Sequence, residues 1–222
     1  MATPSTLNLE PTIRVTEIFR SIQGESTHAG FPCAFIRLTG CSLRCVWCDT
    51  AYAFSGGEEM PVSDAAERVL ALGTELVEVT GGEPLEQEGV YPLIERLLER
   101  GKTVLLETGG HVPLDRVDPR VVKIVDVKAP GSGMMAANLP GNLEQLGPRD
   151  EVKFVLADRR DFDWALDFVR ERELDREHVV TFAPVWETLS AAELAEWIRD
   201  SGRPIRLGVQ LHKLLWGDVP GR

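Results

Sequence analysis

The 222-residue sequence predicts an α/β protein built as a partial, open β/α barrel of about six units, TIM-barrel-like. Three observations carry this expectation. Short β-branched, apolar runs alternate with helical stripes along nearly the whole chain. Several runs are apolar almost throughout, as strands covered on both faces of a parallel sheet are. The length also falls short of the roughly 250 residues that a closed eight-unit barrel usually takes.

In chain order, residues 1–11 read as a loose lead-in to a single domain spanning 1–222. The apolar runs 13–19 and 34–39 are the first two expected strands. Ser63, followed by Asp64 and Glu67, opens a helix near 64–72, with acidic groups where the N-terminal dipole favours them. A strand at 75–80 follows. Val90, Leu93, Ile94, Leu97 and Leu98 recur at helical spacing, and Gly101 stops that helix. Strands at 103–107, 121–127 and 151–156 come next. Phe162, Ala165, Leu166 and Val169 form another helical stripe, and 179–182 another strand. Ser190 and Glu193 have capping-box spacing ahead of Leu194, Trp197 and Ile198. The last expected strand is 205–211. The helical stripes face the core and carry no chemistry.

In folds of this class ligands bind beyond the carboxyl ends of the strands. The polar or glycine-rich segments of this chain sit at those ends. They are Gly40 with the cysteines after it, Thr80 to Pro84, Glu107 to Gly110, Asp126 to Lys128, Ala183-Pro184, and His212-Lys213. All six are expected to line one mouth.

The formal net charge of -11 disfavours a phosphate backbone or an anionic lipid surface as partner, so no nucleic acid and no membrane are expected. The N-terminal letters have neither a basic n-region nor an apolar h-region, and a cytoplasmic location is expected. In such a reducing compartment, clustered cysteines serve metal or redox chemistry more often than disulfides.

The four cysteines are Cys33, Cys41, Cys45 and Cys48. The last three fall within eight residues, just past an expected buried strand. A 4Fe-4S cluster normally takes four thiolates, so three leave one iron open for a chelating small molecule. Other readings stay open on these letters alone: a zinc site with Cys33 as fourth ligand, a thioredoxin-like pair of Cys45 and Cys48, or a disulfide. Cys33 itself reads as a small buried strand residue. In Thr80-Gly81-Gly82-Glu83-Pro84 the two glycines permit close backbone approach to a ligand, and Glu83 could hold an ammonium group. Taken by itself, Gly81-Gly82 is equally an ordinary strand-to-helix turn.

Cys-x3-Cys-x2-Cys with an aromatic before the last cysteine, followed by Gly-Gly-Glu-Pro after the next strand, resembles the signature of the radical S-adenosylmethionine superfamily. Further segments, from Glu17 to Lys213, resemble the 7-carboxy-7-deazaguanine synthase family. They include Glu17 to Glu25, Phe35 to Cys41, Cys48-Asp49-Thr50, Glu107 to Gly110, Asp126 to Met134, Glu151 to Val155 and Gln210 to Lys213. Two departures stand out: Ser26 replaces a glycine, and Gly109 an asparagine.

The resemblance implies conversion of 6-carboxy-5,6,7,8-tetrahydropterin to 7-carboxy-7-deazaguanine, a ring contraction with loss of ammonia on the way to queuosine and other 7-deazapurines. The radical is borne by the cofactor, so no protein residue is expected to be the radical. Cys41, Cys45 and Cys48 would hold the 4Fe-4S cluster. S-adenosyl-L-methionine would be met by Trp47, Cys48, Asp49, Gly82, Glu83, Asp126, Val127, Lys128, Ser132, Ala183, Pro184, Val185 and Trp186. Thr50 would ligate Mg2+. Ile22, Gln23, Gly24, Thr80 and His212 would touch the pterin, and Arg37 would clamp its carboxylate. An electron donor such as a flavodoxin or ferredoxin and a homodimer are implied as partners. The tail 215–222 receives no role. A radical activase acting on a partner protein shares the cysteine triplet, and a non-catalytic iron–sulfur or zinc module is the remaining alternative.

Overall fold

In a computed structural model, residues 10–219 and 221 are described. Most of the expected lead-in lies outside them, but its end is anchored: Glu10 accepts from the Ser63 amide at 3.0 Å, and Pro11 O accepts from Val62 N at 3.0 Å. The chain runs β1 (Thr12–Ile22), β2 (Pro32–Leu38), β3 (Glu58–Pro61), α1 (Val62–Leu70), β4 (Leu76–Gly81), α2 (Val90–Glu99), β5 (Thr103–Thr108) and β6 (Val122–Asp126). It continues through β7 (Glu151–Leu156), α3 (Arg159–Arg172), α4 (Leu174–Glu177), β8 (Val179–Pro184), α5 (Ala191–Ser201), β9 (Arg206–Leu207) and α6 (Leu211–Trp216).

Among the described residues, the nine strands join one sheet in the order β3-β1-β2-β4-β5-β6-β7-β8-β9. From β2 to β9 every neighbouring pair is parallel. Six full parallel strands and the short β9 agree with the expected open barrel. The first strand does not follow the parallel rule: β1 runs antiparallel to both β2 and β3. Nothing in an alternating strand reveals its direction, and β3 is a four-residue edge strand too polar to stand out.

Alternation along the strands divides two environments. On the outer face, Ile36, Leu38, Val77, Val79, Val104 and Leu106 pack with Ala65, Val69, Leu93, Ile94 and Leu97 from α1 and α2. Further round, Val152, Phe154, Leu156, Val180 and Phe182 pack with Phe162, Ala165, Val169, Leu194 and Ile198 from α3 and α5. Burying side chains of this size contributes about 1.5–3 kcal/mol each. On the inner face Cys33, Phe35, Leu76, Leu105, Val122 and Ile124 form a small apolar floor, with Phe19 stacked on Phe35 at 4.9 Å between ring centroids.

Three local expectations need correction. Helix α1 starts at Val62 after Pro61, and its first two amides are taken by Pro11 O and Glu10 rather than by a Ser63 cap. Ser190 stands at the N-cap of α5, but its side chain makes no cap hydrogen bond, so the capping box does not form. The strand expected over 205–211 is two residues long. Gly208 N still bonds Phe182 O at 2.8 Å, but the chain then leaves the sheet, Leu211 N bonds Gly24 O at 2.9 Å, and α6 begins. Among the described residues no helix is long and apolar enough to cross a membrane.

Candidate active site

A cavity of about 580 Å³ opens at the carboxyl ends of the parallel strands, a size suited to small-molecule ligands. All six segments picked out by their position after strands contribute lining residues: Cys41 to Thr50, Thr80 to Glu83, Glu107 to Gly109, Asp126 and Lys128, Ala183, and His212-Lys213.

Above the apolar floor the inner face turns polar, and period two decides which residues appear there. On β2, Arg37 follows Cys33 and Phe35, on β4 Glu78 and Thr80 follow Leu76, and on β5 Glu107 follows Leu105. Asp126 and Lys128 extend β6 in the same phase, as Lys153 and Val155 do on β7. Arg37 Nε donates to Glu17 Oε1 at 2.8 Å, and Tyr52 OH donates to the same oxygen at 2.8 Å. No acceptor among the described residues takes the Nη nitrogens of Arg37, which stay available to a carboxylate.

Lys153 is the central cation. Its Nζ lies 2.7 Å from Glu107 Oε1 and 2.5 Å from Glu25 Oε2. Burial alone would lower the Lys153 pKa, but Glu107, Glu25 and Asp126 hold it well above the usual lysine range. Burial likewise works to raise Glu107, and the Lys153 ammonium more than offsets it, leaving that carboxyl below its ordinary value. Glu78 has no such cation in contact. Burial, reinforced by the Glu107 charge, pushes it up to about 8, so it is largely protonated at neutral pH. It accepts from the side-chain amide of Gln23, whose Oε1 accepts from Glu25 N at 3.1 Å. Gln23 is therefore locked into the cavity floor.

The cysteine loop begins at Gly40, whose φ of +100° favours a residue without a Cβ. Gly40 N bonds Ala53 O at 2.8 Å, and Val46 N bonds Ser132 O at 3.1 Å. Cys41, Cys45 and Cys48 are free thiols on the cavity wall. Burial pushes Cys41 up to about 11 and Cys45 in the same direction, so binding iron would release protons. The Gly81-Gly82 turn lies directly against this loop: a Cβ on Gly82 would fall 2.1 Å from Gly40 O.

Glu83 behaves differently from the sequence expectation. Its carboxylate is fully buried and accepts from Thr108 Oγ1 at 2.9 Å, Gly109 N at 2.8 Å and Leu85 N at 3.1 Å. It pins the turn after β4 to the end of β5 and has little capacity left for an ammonium group.

On β6, Asp126 Oδ2 accepts from Lys128 Nζ at 2.8 Å, while Asp126 Oδ1 is buried without a partner among the described residues. A buried, unmatched carboxylate oxygen on the cavity wall calls for a donor from a ligand. The opposite rim is built by the chain around α6. Gln210 Nε2 donates to Asp49 Oδ2 at 3.0 Å, and Lys213 Nζ lies 3.3 Å from the same atom. Burial would raise Asp49, but Gln210 and Lys213 bring it below its ordinary value. His212 packs on Gly24, where a Cβ would fall 2.2 Å from its Nδ1, and burial lowers its pKa.

Of the residues expected at the site, Ile22, Gln23, Gly24, Arg37, Trp47, Asp49, Thr50, Thr80, Gly82, Val185, Trp186 and His212 line the cavity with the three cysteines. Val127, Ser132 and Pro184 do not. Val127 alternates with Asp126 and Lys128, and its side chain joins the core beneath the helices. Ser132 is buried and donates to Ala129 O at 2.6 Å, so it supports the cysteine loop from behind. Pro184 ends β8 in register with Leu156, out of phase with the cavity-facing Ala183. Sequence reasoning placed Glu107 at the mouth without assigning it a contact, and gave no individual role to Glu17, Glu25, Tyr52, Glu78, His111, Lys153 or Gln210. A signal existed for three of them, since Glu78, Glu107 and Lys153 are charges inside runs of strand-forming residues.

The donor set fits a 4Fe-4S cluster with one iron open to a small molecule. Three thiols share a cavity, a glycine turn touches their loop, and a carboxylate oxygen awaits a donor. Cys33 lies in the apolar floor, fully buried, with its thiol against Ala34 O, and is not a cavity-lining residue.

The Radical SAM superfamily model matches residues 35–129. The chain is 44% identical to the 7-carboxy-7-deazaguanine synthase of Chlorobaculum tepidum, over 95% of this chain and 97% of that one. It is 43% identical to the enzyme of that name from Koribacter versatilis (92% and 97% covered) and 38% identical to that of Thermoplasma acidophilum (93% and 99%). Among solved structures, QueE from Escherichia coli superposes with a TM-score of 0.73 at 24% identity, covering 90% of this chain and 94% of that one, a likeness of fold.

Proposed function

The chain belongs to the 7-carboxy-7-deazaguanine synthase family of radical S-adenosylmethionine enzymes, and from that premise we propose how its residues share the conversion of 6-carboxy-5,6,7,8-tetrahydropterin to 7-carboxy-7-deazaguanine and ammonia. The observation that carries the reading is the meeting, in one cavity, of the three loop thiols with Arg37, a carboxylate-binding group whose terminal nitrogens are uncommitted.

Cys41, Cys45 and Cys48 would hold the cluster. When bound, the cluster and S-adenosylmethionine would supply the radical chemistry that the ring contraction requires. Gly82 offers backbone to the methionine end of that cofactor. Asp126 Oδ1 is suited to accept from a ribose hydroxyl, with Lys128 fixing the orientation of the carboxylate. Trp47, Asp49, Ala183, Val185 and Trp186 complete the wall around it. Glu83 acts one step back, by fixing the turn.

Arg37 clamps the pterin carboxylate through its paired Nη donors, held by Glu17 in the required orientation. Thr80, Ile22, Gly24 and His212 border the heterocycle, and Gln23, locked by Glu78, forms its floor. The charges of Glu25, Lys153 and Glu107 are fixed before substrate arrives, as electrostatic preorganisation requires. Thr50 would place a Mg2+ ion beside the substrate, a hydroxyl oxygen suiting a hard cation that keeps most of its waters. An electron donor such as a flavodoxin or ferredoxin, a homodimeric state and a cytoplasmic setting complete the reading.

The test is anaerobic turnover of reconstituted protein with reductant, S-adenosylmethionine and the carboxypterin. The deazapurine acid is the expected product. Deoxyadenosine with no pterin-derived product would instead favour an activase acting on a protein. In the same assay Thr50→Ala should weaken the response to Mg2+, and an unchanged Mg2+ titration would remove Thr50 from the site.

A further inference from the structure

His111 belongs to none of the segments singled out in the sequence, yet its ring stands where three loops of the site meet. Its Nε2 lies 3.1 Å from Glu86 Oε1. A carboxylate only accepts, so Nε2 carries the hydrogen. The same Glu86 oxygen accepts from the Ser42 amide at 2.9 Å, one residue past Cys41. On the other side, His111 Nδ1 faces Glu83 Oε2 at 3.6 Å, and that carboxylate already binds Thr108, Gly109 N and Leu85 N. The ring is nearly buried, with 7% of its side chain exposed. Hydrogen bonds thus run from the cysteine loop through Glu86 to His111, whose Nδ1 stands beside Glu83 without a hydrogen-bond partner among the described residues, next to the turns after β4 and β5.

The position of the ring also accounts for Gly109, where the family resemblance expects asparagine. A Cβ on Gly109 would lie 3.0 Å from His111 Nδ1 and 3.3 Å from Glu83 Oε2. Gly109 and His111 therefore share one volume. The imidazole occupies the space that a side chain at 109 would enter.

We propose that His111 is a positioning residue for the cofactor loops: through Glu86 it holds the Ser42 amide, and with it the cysteine loop, in place before any cluster is bound. The proposal rests on the reading of Cys41, Cys45 and Cys48 as cluster ligands, and the two separate experimentally. The positioning claim is read in the iron-free full chain, and the ligand claim by iron content.

Hydrogen exchange of iron-free protein is the direct measurement. The Ser42 amide is expected to be protected in the native chain and to exchange about fivefold faster or more in both His111→Ala and Glu86→Ala, as loss of one hydrogen bond implies. Amides of Val77 and Leu106 in the core strands serve as the control and should not change. Glu86 lies at the surface end of the relay, so its variant keeps the test valid if His111→Ala fails to fold. His111→Gln, which restores a donor toward Glu86, should recover part of the protection. In reconstituted enzyme both alanine variants should lose iron to a chelator faster and raise the KM for S-adenosylmethionine more than they lower kcat. Gly109→Asn alone should be harmful, and Gly109→Asn with His111→Ala less so than the sum of the two single changes. Native exchange at Ser42 in folded His111→Ala or in Glu86→Ala, or additive effects at 109 and 111, would overturn the proposal.

Discussion

Glu17 on β1 stands opposite Arg37 on β2, and the Nε of Arg37 donates to Glu17 Oε1 at 2.8 Å. The pairing depends on a register shift between Val15 and Glu17, which brings the carboxylate alongside Arg37 near the cavity. Glu17 thus orients the guanidinium without consuming its two Nη donors, the groups proposed to take the substrate carboxylate.

Arg37→Lys keeps the charge but loses the paired planar donors. The KM for the carboxypterin should rise about tenfold or more, with S-adenosylmethionine binding unaffected. Steady-state kinetics with each substrate varied in turn checks this, and equal effects on both would place Arg37 elsewhere.

Glu78 carries a pH prediction for stability. Its carboxyl ionises near 4.5 when unfolded and is pushed up to about 8 by burial in the folded chain. Between those values the folded state binds more protons, so stability falls as pH rises through this window. Glu78→Gln keeps an acceptor for Gln23 and removes the titration. Urea denaturation should show the variant gaining on the native protein from pH 5 to pH 8, by on the order of 3 kcal/mol. A constant difference across that range would mean Glu78 is ionised in the fold.

Lys153 predicts the opposite kind of loss. Lys153→Met would leave Glu25 and Glu107 facing each other across a buried space, and removal of one partner from such a set costs about 3–5 kcal/mol. Without the ammonium, burial is left to raise the Glu107 pKa, so the destabilisation should be largest at pH 8 and shrink toward pH 5, where that carboxyl can take a proton. Adding Glu107→Gln should recover part of the loss, and thermal melts across pH decide.

Gly24 and His212 touch too closely to admit another carbon. Gly24→Ala puts a Cβ 2.2 Å from His212 Nδ1, and the ring must move. The overpacking should cost about 1–3 kcal/mol, and the KM for the pterin should rise. A variant with native kinetics would show that His212 does not need its observed place.

Much of this was legible in the letters. Strand ends marked the cavity because Gly40, Thr80, Glu107 and Asp126 interrupt apolar runs, and the spacing of Cys41, Cys45 and Cys48 marked its chemistry. Hidden features depend on contacts between segments far apart in sequence. Ion pairing of Lys153 with Glu25 requires the 23–28 loop to cross toward β7, where Thr27 N also bonds Glu151 at 2.9 Å. The antiparallel course of β1 is set by its partners, and the brevity of β9 by the turn of the chain toward Gly24. Saturation of Glu83 by Thr108 and Gly109 could not be read from the Gly-Gly-Glu-Pro motif alone, because its donors come from the neighbouring strand.

The central claim is that three thiols, and not four, hold the cluster. Iron content after anaerobic reconstitution of Cys33→Ala tests it most directly. The variant should take up about four irons per chain, as the native chain is expected to, while Cys45→Ala should not. Loss of iron in Cys33→Ala comparable to that in Cys45→Ala would contradict the account.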